Sequence, residues 1–194
     1  MYWQEVSGNW FLVPERPRAI IHFLGGAFVA AAPHLTYRWL LEALHDEDYA
    51  VIATPFVNTF DHRAIAQETF TTFEQGFIYL CKKRPELQGL PIYGIGHSMG
   101  CKVHLLMGSL AGEGNTGRQW AKQRAGNIFI SFNNFPARKA IPLLEQALQQ
   151  ASTFVPDLQL NRRLEFTPTP EETLSLIERN YTTQYNLLVK FRND

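Results

Sequence analysis

The sequence has little cysteine: Cys81 and Cys101 are the only two among 194 residues. Two thiols make neither a disulfide framework nor a tetrahedral zinc site, and they suit a reducing compartment. An excess of charge is also missing, with 18 lysines and arginines against 18 aspartates and glutamates. No basic stripe interleaves with aromatics, which excludes a nucleic-acid partner. The one basic cluster, Lys82-Lys83-Arg84, ends a predicted helix, where cations complement the helix dipole. No long apolar run occurs. The longest, AIIHFLGGAFVAAAP from residue 19, is short and broken by glycines, which excludes a bilayer span. The first residues, MYWQEVSGNWFLVPERP, lack the basic start and apolar stretch of a signal peptide. No G-x-G-x-x-G or lysine-bearing phosphate loop is present, so no cofactor is expected, and no metal. These absences describe a soluble, cytoplasmic protein. Histidine is missing after residue 104: the six are His22, His34, His45, His62, His97 and His104.

What is present is a globular composition, 45% hydrophobic and 19% charged, at a length that gives one domain a real core. YWQEVSGNWFLVPE alternates around Ser7-Gly8-Asn9 and predicts a hairpin. RAIIHFLGG and YAVIATPFV read as buried strands. Between them, PHLTYRWLLEALHDED predicts one helix, with Leu35, Trp39, Leu40 and Leu44 at helical spacing. DHRAIAQETFTTFEQGFIYLCKKRP predicts a long helix capped by Asp61 and stopped by Pro85. LPIYGIGHS is a strand and MGCKVHLLMGSLAG a helix, with Val103, Leu106, Met107 and Leu110 toward a sheet. AGNIFISFNNF is a strand, and ARKAIPLLEQALQQ holds a helix beginning near Pro142. YNLLVKFRND is the last strand. Strands alternating with helices from about residue 19 predict a doubly wound, mostly parallel sheet in one domain. The alternation breaks over 150–184, which reads as a cap or insertion. That segment carries an apolar stretch (Phe154, Val155, Leu158, Leu160, Leu164) and a helix capped by Thr169 or Thr167, with Glu171 and Glu172 in its first turn.

Gly96-His97-Ser98-Met99-Gly100 lies where the strand LPIYGIGHS turns into a helix. A serine nucleophile needs its oxygen held clear of the backbone, and a sharp strand-to-helix turn does this. Glycines at −2 and +2, Gly96 and Gly100, let strand and helix approach. The chemistry also needs a base, a group that orients it, and amides for the oxyanion. The amide after the nucleophile, from Met99, is one donor. The other comes from the loop after the first buried strand, Gly25-Gly26-Ala27-Phe28, at Gly26 or Ala27.

The base and its partner are where the pattern departs. The usual chain order is serine, acid, histidine, and no histidine follows residue 104. His34 and His62 lie near strand C-terminal ends and are the available substitutes. At the first position for an acid stand the amides Asn133-Asn134. The next strand ends in Arg192-Asn193-Asp194, so Asp194 is the candidate acid. The reading is therefore an α/β-hydrolase fold lacking its C-terminal strand and helix, whose exposed sheet edge invites a homodimer. Its function reads as serine hydrolysis of an ester, thioester or related acyl bond on a small, apolar substrate, weak or absent without a base. The alternative is a binding or assembly protein of the same fold.

HFLGGAFVAAAPHLTYRWLLEAL, GIGHSMGCKVHLL, SFNNFPARKAIPLLEQ, FTPTPEETLSLIE and NLLVKFRND resemble the cyanobacterial and plant proteins grouped as domain-of-unknown-function family 1350, within the α/β-hydrolase superfamily. The resemblance implies that fold and a nucleophile at Ser98, but no particular reaction. It implies the plastid stroma for a plant member. It also implies that the family continues past the last strand, through an Asp-rich turn, to a histidine in a Gly-Asn-His-like loop. Asp194 matches the start of that turn.

Overall fold

The structure, a computed structural model, describes residues 2–110, 124–140 and 165–192. The expected hairpin forms from β1 (Gln4–Val6) and β2 (Asn9–Leu12). Ser7 (φ 50°) and Gly8 (φ 73°) supply the two positive-φ residues that a two-residue hairpin turn requires. β3 (Ala19–Leu24), β4 (Tyr49–Ala53), β5 (Ile92–His97), β6 (Arg124–Ile130) and β7 (Asn186–Val189) complete one seven-stranded sheet of order β1-β2-β4-β3-β5-β6-β7. The hairpin joins antiparallel through β2 and β4, and every other pairing is parallel.

The winding reverses at β3. The chain runs outward from β3 to β4, then returns to lay β5 on the other side of β3. A crevice opens at such a reversal, beyond the C-terminal strand ends, and this is where α/β sheets bind ligands. All six β3 side chains are buried because both sheet faces are covered. Alternate residues divide between the layers. Leu24 packs with Phe70, Val103, Leu106 and Leu176 on one face, and Ile21 and Phe23 pack with Leu41 on the other.

The first face carries α3 (His62–Lys83), α4 (Met99–Leu110) and α6 (Pro170–Asn180). Asp61 caps α3 by accepting from the Ala64 amide, and α3 ends at Arg84, before Pro85. Thr169 caps α6 in a reciprocal capping box with Glu172, choosing between the two threonines the sequence offered. α4 is buried on nearly every side, wider than the single stripe its spacing suggested, because it lies between the sheet, α3 and α6.

Two expectations change. Residues 33–46 form two helices, α1 (Pro33–Thr36) and α2 (Arg38–Asp46), broken at Tyr37. Leu35 and Trp39 face solvent, and Leu41 fills the core with Leu40 and Leu44 beside it. Helix is already present at α5 (Ala137–Ala140), ahead of Pro142, with the Glu165 carboxylate accepting from the Ala137 amide at its start. The described part of 150–184 packs α6 onto α4 and feeds β7, as a crossover does. Residues 150–164, including the apolar stretch, lie outside the described residues, as does Asp194. No helix among the described residues is long and apolar enough to cross a membrane.

Candidate active site

β5 and β3 run in parallel register, with Leu24 opposite Gly96, so their C-terminal ends deliver two loops side by side at the reversal of the sheet. One loop is Gly25-Gly26-Ala27-Phe28. The other is the single residue Ser98, between β5 and α4. Ser98 has φ +51°, in the left-handed region, which costs a non-glycine residue about 1–2 kcal/mol. Its backbone is pinned on both sides. The Ser98 N–H donates to the Ile130 carbonyl at 2.8 Å, and the Ser98 carbonyl accepts from Cys101 N–H at 3.1 Å. A Cβ on Gly96 would come within 2.6 Å of the Cys101 nitrogen, and one on Gly100 would overlap the Leu24 carbonyl oxygen. Both glycines are thus required by the close approach of helix to strand.

Ser98 opens into a cavity of about 410 Å³, whose lining includes Gly26, Ala27, Met99, His62, Lys102 and Phe166. Within its loop, Gly26 differs from the expectation. Its N–H is donated to the Tyr37 hydroxyl at 2.8 Å, which removes it as an oxyanion donor. The amides of Ala27 and Met99 have no acceptor among the described residues. The Tyr37 hydroxyl also bonds His97 Nδ1 at 2.8 Å, so this phenol ties the glycine loop to the residue before Ser98. Burial raises the Tyr37 pKa, and the hydroxyl stays protonated.

The histidines separate in space. His34 stacks under Trp10, with ring centroids 3.5 Å apart, and is not part of the cavity lining. His22 and His104 are buried in the core, edge to face at 5.0 Å. His97 and His62 line the cavity. The His62 ring is 3% exposed, stacks on Phe166 at 4.1 Å, and has no hydrogen-bond partner on either nitrogen among the described residues. Burial, assisted by the Lys102 charge and opposed by Asp61, lowers its pKa to about 3. His62 is therefore neutral at ordinary pH. Asn133 and Asn134 both line the cavity, with the Asn134 amide donating to the Pro170 carbonyl at 2.9 Å.

Lys102 escaped the sequence reading. It stands four residues after Ser98, one helical turn on, in a run otherwise as apolar as Val103, Leu105, Leu106 and Met107. A lysine inside such a run was the available signal. It is 3% exposed and lines the same cavity. Burial lowers its pKa to about 8, with Glu165 and Glu171 opposing. Tyr37 gave no signal, because its role depends on a helix break that brings it to a loop eleven residues away. Among the described residues no cluster of three potential metal ligands occurs.

A doubly wound sheet with a positive-φ serine at the β5–α4 turn defines the α/β-hydrolase class, and the chain has that fold. The fluorophosphonate-binding serine hydrolase F from Staphylococcus aureus, in a substrate-bound structure, is similar over 94% of this chain and 72% of its own, at 14% identity and a TM-score of 0.58. Esterase B from Lactobacillus rhamnosis, inhibited by a tributyrin phosphonate, is similar over 94% of this chain and 69% of its own, at 12% identity and a TM-score of 0.55. A lipase in its open form matches 87% of this chain at 17% identity and a TM-score of 0.46, and the chain spans 51% of its length. No curated protein sequence matches significantly. The chain belongs to DUF1350, a family of proteins of unknown function whose model matches residues 2–194.

Proposed function

We propose that this protein is a serine acyl hydrolase that cleaves an ester, thioester or related acyl bond through Ser98. The observation that carries the reading is the left-handed serine at the head of α4, facing a cavity beside two backbone amides without acceptors among the described residues, those of Ala27 and Met99. Strain at a residue persists only where the surroundings over-determine it, and such strain clusters at functional sites. In the proposed reaction the Ser98 oxygen bonds to the acyl carbon. The carbonyl oxygen gains charge between the Ala27 and Met99 amides, and the bond to the alcohol or thiol breaks. The serine proton passes to a base and on to the leaving group, and water then releases the acid. The apolar residues of the lining, Phe28, Val29, Met99, Phe135 and Phe166, suit an apolar acyl group.

A second reading, a binding protein that uses the same cavity, is favoured by His62. Its ring nitrogens contact no carboxylate among the described residues and its proton affinity is depressed, so it makes a poor base. A fluorophosphonate probe separates the two. Labelling of the protein, abolished in Ser98→Ala, supports the hydrolase. Absence of labelling under conditions that label a reference serine hydrolase leaves the binding protein.

A further inference from the structure

We propose that the wall of the Ser98 cavity formed by Lys102 and His62 is an anion subsite, built to hold a carboxylate or phosphate group carried by the substrate. That this ligand is a substrate rests on the hydrolase reading; the subsite itself does not.

Lys102 is buried, yet no carboxylate among the described residues lies within ion-pair distance of it. Its ammonium donates to the Pro168 carbonyl at 3.3 Å and sits 5.5 Å from the centre of the Phe166 ring. An ammonium has three N–H donors, so these contacts leave donors without an acceptor among the described residues. Glu165 and Glu171 act on Lys102 only at longer range. The Glu165 carboxylate is held by the Ala137 and Phe166 amides, each at 2.8 Å. Taking an ammonium out of water without a counter-charge costs several kcal/mol. If Lys102 served only to tie the turn before α6 to α4, a neutral side chain would do so at lower cost.

His62 is the second and independent observation. Stacking on Phe166 uses only the ring faces, and a phenylalanine would stack as well. Yet a buried imidazole whose two nitrogens have no partner among the described residues occupies the position, against the general rule that buried polar atoms are paired. Lys102 and His62 border one cavity. The neutral imidazole brings one N–H and the ammonium its unused donors, and together they match an anionic oxygen group. Asn58 and Asn134 also line the cavity, and the buried Oδ1 of each has no partner among the described residues. Rotating the Asn58 amide by half a turn would present its NH₂ group, whereas Asn134 is fixed by Pro170 and would accept from a protonated ligand oxygen. Asp61 caps α3 and does not reach Lys102 as an ion pair. The cavity then offers two differently coloured regions to one ligand: amides and apolar side chains around Ser98 for the acyl bond, and a cationic wall for the charged end.

The test separates subsite from catalysis by using Ser98→Ala protein for binding. Glutarate, inorganic phosphate and dimethyl glutarate are compared in thermal melts at matched ionic strength. Glutarate or phosphate should raise the melting temperature by a few degrees at about 100 times its Kd, and dimethyl glutarate should not. Which of the two anions acts identifies a carboxylate or a phosphate source. Lys102→Met should abolish the shift and Lys102→Arg should keep part of it. Should Lys102→Met not fold, His62→Phe, which preserves the stacking, should weaken the anion at least fivefold. Equal shifts from glutarate and its diester, no shift from either anion, or an undiminished shift in Lys102→Met or His62→Phe overturns the subsite. Turnover is read separately, with p-nitrophenyl butyrate against mono-p-nitrophenyl glutarate. Preference for the glutarate ester that falls at least tenfold in Lys102→Met supports the subsite within an active hydrolase. Cleavage of both esters alike, with no anion shift, sinks the subsite and leaves the hydrolase. An anion shift with neither ester cleaved supports the subsite and counts against the hydrolase.

Discussion

The Tyr37 hydroxyl lies 2.8 Å from the Gly26 amide nitrogen and 2.8 Å from His97 Nδ1, joining the glycine loop after β3 to the residue that precedes Ser98. One side chain thereby fixes the spacing of the two loops that form the candidate site. Tyr37→Phe removes both bonds and leaves a buried amide without its acceptor. The expected cost is about 2 kcal/mol of stability, read from the midpoint of urea unfolding. Fluorophosphonate labelling at Ser98 should also slow, because the loop carrying Ala27 is no longer held. Unchanged stability and unchanged labelling would show that the phenol has no part in aligning the loops.

The backbone at Ser98 gives a prediction that can be read without any substrate. Its φ of +51° is comfortable only for glycine. Ser98→Gly should therefore be more stable than Ser98→Ala by about 1 kcal/mol, although both lack the hydroxyl and neither should label. If the two variants unfold at the same denaturant concentration, the left-handed turn is not where the strain resides.

Gly96 and Gly100 predict the opposite sign. Alanine at Gly96 would crowd the Cys101 backbone, and alanine at Gly100 would overlap the Leu24 carbonyl. Each should cost about 3 kcal/mol or prevent folding, since rigid backbone rather than a flexible side chain must move. Soluble, fully stable Gly100→Ala protein would contradict the close packing of α4 on β3.

The buried histidines set the acid limit of the fold. Burial, then the Arg124 charge, holds His22 and His104 well below the ordinary histidine value of 6.5, and burial holds His62 at about 3. In the unfolded chain all three take up a proton as pH falls through about 6.5, while the folded chain does not. Their contribution to stability is therefore complete above pH 6.5 and is lost progressively below it. The slope reaches about 1.4 kcal/mol per pH unit for each histidine, or about 4 for three. Urea midpoints measured between pH 7.5 and pH 5 should fall accordingly, and a flat profile over that range would refute the assignment.

Both thiols should be inert in the native protein. Burial pushes the Cys101 thiol up to about 12 and, with Glu86 nearby, Cys81 to about 11, so neither forms a thiolate at neutral pH. Reaction with a disulfide reagent should yield two equivalents in denaturant and far less than one without it over the same minutes. Rapid native reaction would place a thiol at the surface.

The sequence by itself determined the order of strands and helices, the cap at Asp61, a threonine cap at Thr167 or Thr169, and the turn at Ser98. Each depends on neighbours within a few residues: an apolar run, a capping oxygen, two glycines flanking a serine. Its errors were local in origin as well. Helical spacing placed Leu35 and Trp39 on a buried face, because periodicity does not register a break at Tyr37. Only the tertiary structure decided which of the loop amides stays available, since Gly26 is engaged by a phenol from another element. It also placed His62 beside Lys102, from helices separated in sequence but packed on one sheet face, and sent His34 away from the cavity to stack on Trp10. The physical reason is that a side chain's ionisation and pairing are set by what surrounds it in space. Packing across the sheet brings those surroundings from distant parts of the chain.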